Sequence, residues 1–352
     1  MKMPESRQRF LVIRLSSIGD IVHTLPAVAA LGRAHPQAEI HWVVEERFAE
    51  LLAGNPYVSR LIKLDTLGWR KDPTSGSVMA EIMQGFEALR DYHYDAAIDF
   101  QGLIKSAIFA RLSHSEKRIG LARGWLREPL AALLYTQRVS PKDRTHIIEI
   151  NLSLVEPLGA RTSSWEFPLP DRPVDMEAVR AELQRLGTKD FIIINPGGGW
   201  KSKRWPPELY AEAIAALAGK VAFDFLVTGS PQDEDVAREI IARAHTPRAK
   251  WFPSTLLQFI ALAREARLLI GGDTGPLHLA AAVGTPIVAI FNAADTRNTP
   301  QRNGPFNPAD IILCGPRPAR HGSHSKDLNY LEGVSVGSVV NAALQRLGIE
   351  NG

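Results

Sequence analysis

The stretch FLVIRLSSIGDIVHTLPAVAAL, residues 10–31, carries the reading from which the fold follows. Phe10 to Leu15 is an apolar run broken only by Arg14, as expected of a strand covered on both faces. Ser16, Ser17 and Gly19 make a turn, and Ile21 to Leu31 returns to helical spacing. A strand feeding a helix across a small-residue loop aims backbone N–H groups and a helix N-terminus at whatever sits there. Asp20 falls in that loop or in the first helical turn. Two roles fit it: a helix cap, for which Asp is favoured, or a general base at the C-terminal edge of a parallel sheet. The stretch alone does not separate them.

Working outward, strand-like and helix-like segments alternate. Glu39 to Val44 and Val58 to Leu64 read as strands, with a helix at Arg47 to Leu52. Gly68 to Ser77 is polar and carries Trp69, Arg70 and Lys71. A helix from Val78 to Arg90 leads to a strand, Ala96 to Phe100, which ends in Gln101-Gly102, and Leu103 to Leu112 is helical again. This is a parallel, doubly wound pattern. From Leu103 to His146 nine basic residues face three acids. That balance suits a solvated face or a surface that meets an anionic partner such as a phosphorylated lipid. Interleaved aromatics are too few for nucleic acid. His146 to Leu158 reads as a helix, and the proline-rich Trp165 to Pro173 as a linker.

The second half repeats the first in outline. After a helix over Met176 to Leu186, the strand Phe191 to Asn195 runs into Pro196-Gly197-Gly198-Gly199 and then Lys201, Lys203 and Arg204. Glycines after a strand let the backbone approach a phosphate, and the cations stand beside it. A tight turn would use the same residues. The loop is neither GxGxxG nor GxxxxGK[ST], which disfavours nicotinamide dinucleotides and P-loop chemistry. Phe223 to Thr228 is a strand followed by Asp233, Glu234 and Asp235. A carboxylate there suits either ribose hydroxyls or a helix dipole. Ala266 to Ile270 ends in GGDTGPLH, residues 271–278, where a helix beginning near Pro276 makes an anion nest with Asp273, Thr274, Gly275 and His278 close by. Pro286 to Phe291 is the last clear strand. Asn292 to Asn329 is loop-rich, and Val334 to Leu347 is an amphipathic closing helix.

Hydrophobic content of 45% and charged content of 22% describe a globular protein, and 352 residues suggest two domains. A net charge of +3 does not by itself point to nucleic acid. Cys314, the single cysteine, excludes an internal disulfide framework and a multi-cysteine metal site. The longest apolar stretch, Leu277 to Ala294, is interrupted by five less apolar residues, and Arg14 and Asp20 cut short any signal-like N-terminus. The expected location is the cytoplasm.

Several motifs together resemble a family: SSIGD (16–20) with HTLPA (23–27), DFQGLIKS (99–106), REPLA (127–131), KRWP (203–206) and GGDTGPLHLAAA (271–282). The chain resembles the bacterial ADP-heptose:lipopolysaccharide heptosyltransferases, glycosyltransferase family 9, over roughly residues 10–291. The DTGPLH block marks the wider family; SSIGD, HTLPA and REPLA favour the type I branch, which adds the first heptose to Kdo of the inner core.

The resemblance implies an α/β GT-B fold, two Rossmann-like domains facing each other across a cleft. It divides the chain into residues 1–168, an acceptor-binding domain, and 174–332, a domain for the ADP-sugar. A closing helix at 333–352 is expected to pack back on the N-terminal domain. The implied reaction is inverting transfer of L-glycero-D-manno-heptose from ADP-heptose to Kdo, with no cofactor and no metal. Asp20 is then the catalytic base and Lys203 neutralises the diphosphate. Gly198 and Gly199, where relatives can carry threonine, contribute backbone contacts only. Asp233 sits on the ribose, and Asp273, Thr274, Gly275 and His278 on the diphosphate and sugar. Arg70, Lys71, Lys105 and Arg127 are the implied contacts to Kdo-lipid A, with the enzyme peripheral at the cytoplasmic face of the inner membrane. The match departs after Phe291, where Asn292-Ala293-Ala294-Asp295 replaces a GPTDP-like turn. Rival readings are heptosyltransferase II or another GT-B core-oligosaccharide transferase, and, from a different class, a two-lobed solute-binding protein.

Overall fold

The computed structural model describes residues 7–66, 68–71, 87, 89–198, 204–292, 299–315 and 330–350. The expected helix at 78–90 falls almost wholly outside these residues. The chain divides into two compact units, Met1–Pro170 and Asp171–Gly352, with the boundary inside the proline-rich segment.

The first unit is a six-stranded parallel sheet. Its strands are β1 (Arg9–Ile13), β2 (Glu39–Glu45), β3 (Arg60–Leu64), β4 (Ala96–Asp99), β5 (Lys117–Leu121) and β6 (Gln137–Val139), in the order β3-β2-β1-β4-β5-β6. Strand β1 is central: Leu11, Val12 and Ile13 are fully buried, which is why its sequence is apolar on both faces. Helix α1 (Ile18–Ala34) follows β1 and packs on α3 (Ile147–Val155); α2 (Ile104–Leu112) follows β4. Arg47 to Leu52 is part of a 3-10 turn, Glu46–Leu52, rather than an α-helix.

The second unit repeats the topology. Its strands are β7 (Phe191–Asn195), β8 (Asp224–Gly229), β9 (Ala249–Pro253), β10 (Leu268–Gly272), β11 (Ile287–Phe291) and β12 (Ile311–Cys314), in the order β12-β11-β10-β7-β8-β9. Its helices are α4 (Pro173–Arg185), α5 (Pro207–Ala218), α6 (Glu234–Ala244), α7 (Leu256–Glu265), α8 (Gly275–Ala282) and α9 (Val336–Leu347). In each unit the first strand lies in the middle with the fourth strand beside it: Ile13 is in register with Asp99, and Asn195 with Gly271. Such a neighbour pair is the switch point at which open α/β sheets bind ligands, outside the carboxyl ends of the strands.

The closing helix, α9, lays its apolar face on the second sheet. Val339, Ala343 and Leu344 join Ile192, Val288 and Ile290 in one core, and α9 packs against α5. Amphipathic spacing identifies the face to be buried, and the nearest uncovered apolar sheet surface takes it. Burial of a Val, Leu or Ile side chain such as these contributes about 1.5–3 kcal/mol, and the Ala343 methyl less.

Candidate active site

In the first unit the candidate residues gather at the carboxyl ends of the strands. Asp20 lies in the first turn of α1, just past β1. Its Oδ2 accepts hydrogen bonds from Ser17 N (3.0 Å) and Ser17 Oγ (2.9 Å), so the carboxylate closes back on the helix start. Its Oδ1 faces Arg14 Nη2 at 3.3 Å, and the side chain keeps 41% of its surface in solvent. The cap is therefore real, and it still leaves an accessible carboxylate in a fixed orientation.

Arg14 explains the one charge in an otherwise apolar stretch. It is buried, donates from Nε to Thr24 Oγ1 (3.3 Å), and its carbonyl accepts from Trp42 Nε1 (3.0 Å). A lone cation in a covered strand has to be paired, and that rule is the signal by which sequence reasoning could have linked it to Asp20. The neighbouring strand holds the same loop from the other side. Gln101 Oε1 accepts from Leu15 N (3.0 Å) and Ser16 N (3.3 Å). Gln101 is itself placed by Asp99, whose Oδ1 accepts from Gln101 N (2.9 Å) and Gly102 N (3.1 Å). Asp99 Oδ2 accepts from Ser106 Oγ (2.8 Å) and Tyr135 OH (2.7 Å). Complete burial pushes the Asp99 carboxyl above the usual carboxylate range, and these donors pull it back. Asp99 and Gln101 stood in the quoted DFQG motif, but nothing local in it showed that they hold Ser16.

Of the remaining candidates in this unit, Lys105 is in the first turn of α2. Its Nζ donates to Thr66 Oγ1 (2.7 Å) and stands 3.8 Å from the buried Glu45, which also accepts from Thr66. Arg127 is exposed in the segment after β5. Arg70 and Lys71 belong to a single helical turn, Gly68–Lys71, after β3.

In the second unit Gly198 follows β7, Asp233 follows β8, and Asp273 to His278 follow β10. These three strands are neighbours, so the loops share one sheet edge. Gly199 and Lys203 lie outside the described residues. Asp273 Oδ1 and His278 Nε2 meet at 3.2 Å, and both side chains are buried. Thr274 stands at the N-cap position of α8 but makes no side-chain cap bond; its Oγ1 donates to Asn195 Oδ1 (3.3 Å) instead. Asn195, the polar end of FIIIN, in turn donates from Nδ2 to Thr228 Oγ1 (3.2 Å) and so ties the tips of β7, β8 and β10 together. A Cβ at Gly271 would meet the Asn195 carbonyl at 3.0 Å, a tight contact that glycine avoids. Arg204 Nε donates to Gly198 O (2.8 Å) and shapes the loop after β7. Asp233 copies the Asp20 arrangement: its Oδ2 accepts from Ser230 N (3.0 Å) and Ser230 Oγ (2.7 Å).

Two Rossmann-like domains of one topology, with polar and glycine-rich loops at the carboxyl strand ends, define a fold of the GT-B type. The chain superimposes on the structure of E. coli heptosyltransferase WaaC with ADP at a TM-score of 0.78 and 26% identity, covering 96% of this chain and 100% of that one. It belongs to glycosyltransferase family 9 (heptosyltransferase), whose family model matches residues 82–330. Lipopolysaccharide heptosyltransferase 1 of Escherichia coli strain K12 is 30% identical over 313 residues, 88% of this chain and 94% of that protein. The enzyme of that name from Pseudomonas aeruginosa is 30% identical over 290 residues, 80% of this chain and 78% of the relative. The protein is thus an enzyme, and the solute-binding alternative falls.

Proposed function

We propose that the enzyme transfers heptose from ADP-heptose to a Kdo residue of the lipopolysaccharide inner core, with inversion and with Asp20 as general base. The observation that carries the reading is the Asp20 carboxylate, aimed by Arg14 and Ser17 yet open to solvent at a strand tip. In the reaction an acceptor hydroxyl oxygen attacks the anomeric carbon. The bond from that carbon to the diphosphate oxygen breaks, ADP leaves with the electron pair, and Asp20 takes the hydroxyl proton.

The second unit supplies the donor side. The N–H groups at the start of α8, which the Thr274 side chain does not cap, suit a diphosphate, and the glycine at 198 lets backbone approach it. In this reading Lys203 and the backbone at Gly199 add to that cradle. Gly275 keeps the helix start open, and Asp273 with His278 contacts the sugar. Asp233 reaches the ribose, a role that competes with its bonds to Ser230. On the acceptor side Arg127, Arg70 and Lys71 meet the carboxylates and phosphates of Kdo-lipid A, while Lys105 does so from a position braced by Glu45 and Thr66. In this reading the work is done at the cytoplasmic face of the inner membrane, where a lipid-linked acceptor would be presented.

The relatives named heptosyltransferase 1 and the SSIGD, HTLPA and REPLA motifs favour the first transfer over the second. The test offers ADP-heptose with Kdo-lipid A, and separately with an acceptor that already carries one heptose. ADP release only with the first supports the type I reaction; release only with the second replaces it by heptosyltransferase II or a later core enzyme.

A further inference from the structure

Six large apolar side chains are exposed among the described residues, and five of them fall between positions 104 and 133. Single exposed apolar residues scattered over a surface need no account, but a concentration of them does. Helix α2 buries Ser106, Ala107, Phe109 and Ala110, and leaves Ile104 (38% exposed) and Ile108 (42%) one turn apart on its outer side. The 3-10 turn Pro129–Leu134 has three residues per turn, so Leu130 and Leu133 eclipse one another, 60% and 71% exposed. Between them Ala131 and Ala132 turn inward and meet Ala107 of α2. The two elements are packed against each other, each presenting an apolar pair to solvent. Trp125, 36% exposed, stands just before the turn.

The surroundings are cationic. Residues 103–146 hold nine basic side chains and three acids. One of those acids, Glu128, is turned to accept from Ile104 N at 2.7 Å. Arg138 and Arg118 donate from Nε to the carbonyls of Ala132 (2.8 Å) and Leu134 (2.9 Å), which plants two guanidinium groups on the apolar turn. Arg111 continues the exposed side of α2 one turn beyond Ile108, and Arg123 and Arg127 are exposed beside Trp125. A second copy of the chain docking here through a two-fold axis would set this cationic ring against itself. An anionic bilayer surface matches both the apolar centre and the positive rim.

We infer that Leu130, Leu133, Ile104, Ile108 and Trp125 form an interfacial wedge that seats the first unit in an anionic lipid surface. The contact is shallow, since no helix among the described residues is long and apolar enough to cross a membrane. The inference deepens the proposed reading, in which the acceptor is a lipid. Its test uses neither donor nor acceptor, so its failure leaves the transferase assignment standing, and failure of that assignment leaves the wedge to be judged separately.

The experiment measures partition of the full chain onto vesicles of phosphatidylethanolamine and phosphatidylglycerol. Wild type is expected to bind at low salt and to bind less as ionic strength rises. The double variant Leu130→Ser/Leu133→Ser, at exposed positions, is expected to keep its thermal midpoint and to lose about tenfold or more in partition. As a second readout that needs no double variant, brominated lipid should quench tryptophan emission in wild type and much less in Trp125→Phe. The inference is overturned by absent binding at low salt or equal binding to phosphatidylcholine vesicles. An unchanged partition of the double variant, or a wild-type dimer that this variant dissolves, overturns it too.

Discussion

Asp20→Asn sets the cap role against the base role with almost no change of shape. Asp20 Oδ2 holds Ser17 N at 3.0 Å and Ser17 Oγ at 2.9 Å. Asn keeps one carbonyl oxygen, and at this third helical position of a capping box an amide oxygen accepts from the N-cap residue Ser17 as a carboxylate does, so these contacts survive. The amide nitrogen cannot face Arg14, and the ion pair at 3.3 Å is lost. That pair is half in solvent, with Arg14 at 5% and Asp20 at 41% exposure, and screening reduces its worth. Arg14 also keeps its bond to Thr24 Oγ1 at 3.3 Å. The expected cost is about 1 kcal/mol or less, a shift of roughly 2–4 °C for a unit of this size. Removing a general base is a different order of effect: an amide cannot accept the acceptor's proton, and kcat should fall by about 10² to 10⁴. The assay follows ADP release at saturating donor and acceptor, with calorimetric ADP binding as the control, expected close to wild type. Turnover within about fivefold of wild type, well under that range, would refute the assignment and send the search for the base to His278 and Asp273.

Four further outcomes follow from the same contacts. If Lys203 and helix N–H groups neutralise the diphosphate, EDTA should leave turnover intact; loss of activity restored by Mg²⁺ would put a metal in their place. Arg127→Ala should raise acceptor KM and leave donor affinity alone, and wild-type acceptor KM should rise with salt; normal acceptor kinetics at low salt would return Arg127 to a solvated face. Asp99→Asn should lose about 2–3 kcal/mol in chemical denaturation, because four donors converge on that buried carboxylate, and an unchanged midpoint would contradict it. His41 is buried against Tyr94 OH at 2.9 Å, and burial first, then the charge of Arg60, holds its pKa below the usual 6.5. The unfolded chain then takes up the proton first, so stability is retained above that pH and is lost as pH falls through about 6.5. His41→Gln should flatten the fall in thermal midpoint between pH 7.5 and 5, and an equal fall in both proteins would remove His41 as its cause.

The sequence by itself determined the parts whose physics is local. Central strands β1, β7, β10 and β11 are covered on both faces, so their middles are apolar, and those runs are legible without a structure. The loops at their ends are legible for a related reason: close backbone approach and helix starts demand glycine, serine and aspartate in short order, as in SSIGD and GGDTGPLH. Strands β5, β6, β9 and β12 escaped notice. Lys117 and Arg118 open β5, Gln137 and Arg138 open β6, and Lys250 and Pro253 interrupt β9, so none of these carries a continuous apolar signal; β12, Ile311–Cys314, is apolar but only four residues long, inside a loop-rich stretch. Only tertiary structure decided what those local pieces meet. Gln101 reaches Leu15 across 86 residues, Tyr135 reaches Asp99 across 36, and Thr274 reaches Asn195 across 79. The partner of α9 was likewise beyond the sequence, which showed an apolar face and not the sheet that covers it. Local spacing encodes which side of an element avoids water; which surface meets that side, and which buried polar group finds which partner, is settled by the packing of the whole chain.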